Sequence, residues 1–145
     1  MNIVEPWKKG KSRIEQGVIY FDGTFFPVYQ SANSGYEVGA KENIAQHILQ
    51  EPEGWFYYDV SSKSRLGNKM LIAGSGSYEG EGFVALLDEN ESLLWVLHLE
   101  GCEALEIEAC LENEAVVFGS NGYELNSFLV PYNKPEAFTF KKKRM

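Results

Sequence analysis

The sequence predicts a mainly β domain built from antiparallel, blade-like repeats, an open, half-propeller-like stack with one short helix near residues 40–50. Short β-rich runs separated by Gly, Asp and Asn turns fill most of the chain. Only Ala40 to Gln50 shows apolar residues at helical spacing. The chain also repeats itself. Leu71-Ile72-Ala73-Gly74-Ser75-Gly76-Ser77-Tyr78-Glu79 returns 45 residues later as Val116-Val117-Phe118-Gly119-Ser120-Asn121-Gly122-Tyr123-Glu124, and at that offset Phe83 falls on Phe128 and Trp95 on Phe140. Tyr36-Glu37, 42 residues before Tyr78-Glu79, gives a weaker third copy. A period of this length suits a four-stranded propeller blade. Three units fall short of the roughly four to eight blades of a closed propeller, so the stack is expected to stay open, its edges covered by the N-terminal arm, the helix, a second copy or a partner. A β-sandwich or barrel would space its strands similarly and is the alternative.

In chain order, a single domain is expected over 1–145. Residues 1–13 form an irregular arm that Trp7 pins to the body, and 14–69 a first, divergent unit containing the helix. Residues 70–115 and 116–140 are the two clear repeats, and 141–145 a solvated basic tail. Gly17 to Phe21 and Thr24 to Tyr29 flank Asp22-Gly23, a hairpin signal because Asp and Gly tolerate the positive φ of a tight turn. Pro27 puts the second of these strands at an edge or a bulge. In the helix, Ala40, Ile44, His47 and Ile48 share a stripe and Pro52 ends it. Trp55 to Val60 reads as an aromatic strand, followed by a polar loop from Ser61 to Asn68. Further strands are predicted over Met70–Ala73, Gly82–Leu87, Leu93–Leu99, Ala104–Leu111, Ala115–Gly119, Leu125–Val130 and Ala137–Phe140. Alternation along Ala104–Leu111 sets Leu105, Ile107, Ala109 and Leu111 on one face and Glu106, Glu108 and Cys110 on the other.

Composition bounds the function. The apolar runs are far short of the ~20 residues of a membrane span, and Met1 to Arg13 lacks the apolar core of a secretory signal, so the expected setting is the cytoplasm. Two cysteines, Cys102 and Cys110, make no disulfide framework. A net charge of −8 opposes direct nucleic-acid binding, which depends on cations that neutralise phosphate. The charge is unevenly placed. Between Lys69 and Lys134 the 64 residues hold twelve carboxylates and no lysine or arginine.

Catalytic chemistry finds little support. His47 and His98 both read as packed or rim histidines on apolar stripes. A Cys102–His98 nucleophilic pair lacks an orienting third group and a cationic setting that would depress the thiol pKa. Glu106 and Glu108, about 7 Å apart at i to i+2, fall in the range of glycosidase carboxylates, but solvated glutamates on a half-exposed strand show the same pattern. The turn Asp88-Glu89-Asn90-Glu91 lacks the register of a calcium loop. Gly74-Ser75-Gly76 has no following helix or lysine and is a repeat turn, not a phosphate cradle. No cofactor, metal or catalytic residue is expected.

Binding through charge needs no catalytic set. Clustered like charges repel, which costs stability unless a cationic partner meets them. In its small size, acidity and lack of catalytic motifs the chain resembles the immunity proteins of bacterial toxin systems, including those of contact-dependent growth inhibition. The resemblance implies a stoichiometric inhibitor that covers the basic cleft of a nuclease toxin domain, a ribonuclease in its sharpest form, with carboxylates where phosphates would lie. It supplies no motif. On charge and strand direction alone, the partner-binding positions are Glu79, Glu81, Asp88, Glu89, Glu91, Glu103, Glu106 and Glu108, with Tyr78 and Tyr123 for stacking or as recurring structural tyrosines. Two other readings stay open. One is a β-repeat interaction module that docks a peptide or self-associates through a sheet edge or Trp55, Phe56, Tyr57 and Tyr58; the other is a small sugar-active enzyme.

Overall fold

Two four-stranded antiparallel meanders follow one another, over 55–100 and 106–144, where the sequence predicts units at 70–115 and 116–140. The first comprises β6 (Trp55–Leu66), β7 (Lys69–Gly76), β8 (Glu81–Leu87) and β9 (Leu93–Glu100). The second comprises β10 (Glu106–Cys110), β11 (Glu114–Ser120), β12 (Glu124–Pro131) and β13 (Thr139–Arg144). β7 and β11 begin at Lys69 and Glu114, 45 positions apart. The computed structural model describes residues 3–30, 35–76, 81–120 and 124–144.

The N-terminal third does not build a sheet of its own. After a short helix α1 (Val4–Lys8) come β1 (Lys11–Arg13), β2 (Gly17–Tyr20), β3 (Thr24–Gln30), β4 (Tyr36–Val38), β5 (Glu42–Asn43) and helix α2 (Ile44–Gln50). β2 pairs with β9 and β1 with β6, which gives a nine-stranded sheet in the order β1-β6-β7-β8-β9-β2-β3-β4, with β5 also on β3. The divergent unit thus extends the first meander instead of stacking as a third blade.

Three layers result. On one face of the large sheet, Ile19, Phe25, Ile72, Phe83, Ala85 and Val96 pack with Ile3 and Trp7 and with Ile44 and Ile48 of α2. On the other, Val18, Leu71, Ala73, Val84, Leu86 and Leu97 pack against Ala115, Val117, Phe128 and Val130 of the small sheet. Burial on both faces explains why β8 and β9 read as unbroken apolar runs without alternation. The repeat also survives in orientation. Phe83 faces the helices and its equivalent Phe128 faces the large sheet, so matching faces point the same way through the stack. Trp95 and Phe140 do not obey this: Trp95 looks toward the small sheet, and Phe140 pairs with Phe128 and looks back. The bulge at Leu86/Leu87 and different loop lengths shift that register.

Several elements differ from the sequence expectation. The arm is helical at Val4–Lys8, and Trp7 pins it by stacking on Tyr58 with ring centroids 4.0 Å apart. The first hairpin pairs Ile19 with Phe25, which leaves the three-residue loop Phe21-Asp22-Gly23; Gly23 alone has positive φ, and Asp22 Oδ1 accepts the Thr24 N–H. Pro27 does interrupt an edge, because β3 pairs with β4 on one side of it and with β5 on the other. α2 starts only at Ile44, since Glu42-Asn43 pairs with Thr24-Phe25 and Asn43 then caps the helix through Ala45 N–H. The expected polar loop 61–68 is mostly strand. β6 continues to Leu66 with Ser62 and Ser64 at its half-buried positions, and Ser62 Oγ accepts the N–H of Ile107 in β10. The expected tail is strand as well, with Lys141 to Arg144 paired to β12; lysines on an edge strand discourage further pairing. In β10 a bulge between Ile107 and Ala109 breaks the alternation, so Cys110 turns to the core while Ala109 and Leu111 are exposed. Among the described residues no helix is long and apolar enough to cross a membrane.

Candidate functional site

The start of β8 and the end of β9 lie side by side, with Glu81 directly opposite Glu100. Both belong to the face that carries Phe83 and Val96, at the margin where α2 and its exit loop give way to solvent. There a pocket of about 510 Å³ opens between Glu81, Glu100, the loop residues Glu51 and Glu53, and Trp55 at the start of β6, with Ile14 in its wall. That volume falls within the range of small-ligand sites.

The loop is held by Arg13, whose side chain is fully buried. Its Nε and Nη2 each donate to the Glu15 carboxylate at 2.7 Å, and Nη1 donates to the Glu51 carbonyl at 2.9 Å. The guanidinium carbon lies 4.9 Å from the centre of the Trp55 ring. Placing a cation on the carbonyls that end α2 suits the negative end of the helix. A Cβ at Gly54 would sit 2.8 Å from Arg13 Nη2, so the chain can pass this close only as glycine. Arg13 is therefore consumed by Glu15 and the helix end. Among the described residues, no lysine or arginine pairs with Glu51, Glu53, Glu81 or Glu100.

Behind Glu81 sits His98, 1 % exposed and tilted against the Phe56 ring at 5.0 Å. Its Nδ1 lies 3.0 Å from the Glu15 carbonyl, which can only accept, so Nδ1 carries the proton. Burial pushes the imidazole pKa down, against the opposing pull of the Glu15 carbonyl and the charge of Glu100, and favours the neutral ring. Nε2 is then a bare acceptor. It faces Glu81 Oε2 at 3.8 Å, and neither atom has a hydrogen-bond partner. Burial, reinforced by the Glu100 charge, raises the Glu81 pKa above the usual carboxylate range. Two acceptors face each other across a gap that only a proton or an incoming donor can relieve.

The carboxylates selected from sequence divide between two places. Glu81 lines the pocket. Glu103 and Glu106 are exposed and flank Leu105, which packs on Gly82, so they lie at the same end of β8 on the small-sheet side. Glu108 is exposed at the β10 bulge, so the expected Glu106–Glu108 pair is not two successive positions on one regular strand face. Asp88, Glu89 and Glu91 occupy the turn at the opposite end of β8, about 20 Å away along the strand. There Asp88 builds the turn: its Oδ1 accepts the N–H groups of Asn90 and Ser92 at 2.8 and 2.9 Å, and Glu91 takes φ +62°. Tyr78, Glu79 and Tyr123 lie outside the described residues. The Cys102–His98 pair that the sequence argues against does not form: Cys102 is buried in the other layer beside Tyr36 and Asn126, where burial raises its thiol pKa.

Sequence reasoning missed Glu15, Glu51 and Glu53, which lie outside the lysine-free tract, and it missed Arg13 as the clamp. The spacing Arg13-Ser-Glu15 carried no signal without knowledge of where α2 ends. The sequence marks Trp55 as part of an aromatic strand and of a candidate docking group, but not as the wall of an acidic pocket. Among the described residues no three His, Cys, Asp or Glu side chains converge to hold a metal ion. No family model, curated protein or solved structure matches this chain.

Proposed function

We propose that the chain is a stoichiometric protein inhibitor that docks on the basic active-site cleft of a nuclease toxin, a ribonuclease in the sharpest form of the reading, and acts in the cytoplasm. The observation that carries this is the set of carboxylates at one end of the large sheet, Glu51, Glu53, Glu81 and Glu100, gathered around an open pocket with no lysine or arginine among the described residues to pair them. Glu103 and Glu106 extend the same acidic end. Uncompensated charge of this kind steers a cationic partner and strengthens as docking expels water. A surface of this sign repels nucleic acid, so the nuclease itself is the target and not its substrate.

The test is association with the cognate toxin domain at low and at physiological ionic strength. The rate should fall by about tenfold or more as salt screens the field. Reversing Glu103 and Glu106 to lysine should weaken binding strongly, while reversing Glu89 and Glu91 at the far turn should matter far less. A salt-insensitive association rate would falsify the proposal.

A further inference from the structure

We infer that the pocket bounded by Glu51, Glu53, Trp55, Glu81 and Glu100 is a receptor for a guanidinium group, filled by an arginine side chain of the cationic partner. The inference rests on the inhibitor reading for the source of the arginine, but not for the chemistry of the pocket.

Several observations converge on this ligand class. The carboxylates are spread around the pocket instead of meeting at a point, which suits a flat, multi-donor cation better than a single ion. Glu81 and Glu100 sit directly opposite on neighbouring strands, a like-charge pair that is unfavourable until a cation lies between them. A guanidinium presents five N–H donors in one plane and can reach two carboxylates at once, which a compact ammonium does less well. The part-exposed Trp55 ring already carries one guanidinium, that of Arg13, and its presence in the pocket wall offers apolar surface to the stem of another. Independently of the acids, the buried His98 directs an unpartnered acceptor at the carboxylate of Glu81. His98 lies behind the pocket and not in its lining, so Glu81 gains no donor from the described residues on its buried side.

Binding must then be linked to protons. The charged groups around Glu81 are His98 and Glu100 from β9, Arg13 and Glu15 from the β1–β2 corner, and Glu51 and Glu53 from the loop after α2. Arg13 and Glu15 neutralise one another. A cation favours ionised Glu81 and neutral His98, so protonating either weakens binding. Affinity rises with pH through the range in which Glu81 loses its proton.

The full chain titrated with Nα-acetyl-L-arginine methylamide, followed by NMR at the Trp55 indole and the His98 ring, tests this. Saturable shifts at both are expected, tightening with pH. The neutral citrulline analogue should produce none, and the lysine analogue should bind more weakly. Glu100→Gln, at an exposed position that leaves the fold intact, should weaken the arginine probe by about tenfold, and Glu89→Gln should leave it unchanged. Equal shifts with the citrulline analogue, equal binding of the lysine analogue, or an unaltered Glu100→Gln response each overturn the inference. Competition separates the two readings. If the probe binds but the toxin domain fails to displace it, the inhibitor reading falls and the guanidinium site stands. If the toxin binds with strong salt dependence while the probe does not bind, the reverse holds.

Discussion

At one end of β8, Glu81 is drawn inward against Phe56 and His98 and loses solvation, while at the other end Asp88, one residue past the strand, spends its carboxylate on the backbone of its own turn. Both belong to the lysine-free tract and look equivalent in sequence. The difference comes from what covers each end. The α2–β6 loop, clamped by Arg13, roofs the Glu81 end without closing it. At the Asp88 end a tight turn projects Glu89 and Glu91 into solvent. A carboxylate that lacks donors is available to a ligand, whereas one that already accepts two N–H groups is part of the scaffold.

Removing the clamp should have the largest effect on this contrast. Arg13→Met leaves the Glu15 carboxylate buried without its partner and frees the α2 carbonyls, and should cost about 3–5 kcal/mol in denaturant unfolding. A loss below about 1 kcal/mol would show that the loop is held by other means. Asp88→Ala should cost about 1 kcal/mol through its lost turn bonds. Glu81→Gln should go the other way and raise the melting temperature at neutral pH, because it removes a poorly solvated charge opposite Glu100 and supplies an amide donor to His98 Nε2. Glu89→Gln should stay within about 0.5 kcal/mol of the parent. If Glu81→Gln and Glu89→Gln behaved alike, the distinction between the two ends would collapse.

The pH profile sharpens the same comparison. Glu81 binds its proton more tightly folded than unfolded, so its contribution to stability is full below its ordinary value of 4.5 and is lost as pH rises through the higher folded value. His98 works oppositely. Its contribution is present above 6.5 and is lost as pH falls through the lower folded value. Between 4.5 and 6.5 the two therefore oppose one another in a thermal-melt series, and Glu81→Gln should remove the component that falls with pH and leave stability rising across that interval.

Much of the fold was legible because its signals are local or periodic. The 45-residue echo, the β-rich runs and the stripe Ile44 and Ile48 each follow from backbone geometry that nearby residues determine. The errors arise where pairing partners distant in sequence decide. Ser61 to Leu66 looks like a loop until β10 is laid beside it, and Lys141 to Arg144 looks like a tail until β12 offers a ladder. The bulge in β10 reverses Cys110 for a reason no alternation pattern reveals. The site was legible in one part only. Excess acid identified Glu81, but the pocket depends on bringing residues 13–15, 51–55, 81 and 98–100 together, a juxtaposition made by the β2–β9 and β1–β6 pairings.

The connection between the sheets has a consequence for how the molecule opens. Leu105 is 1 % exposed; a Cβ at Gly82 would meet its Cγ at 2.9 Å, and one at Gly119 would meet its Cδ2 at 2.8 Å. Its N–H donates to the Gly74 carbonyl at 3.0 Å. One side chain is thus seated against glycines of both meanders, like a bolt passed through two plates. The second meander cannot swing away without withdrawing it, so amides on the inner strands of both sheets should exchange with solvent in one cooperative event, whereas those of α1 and the β1 edge open on their own.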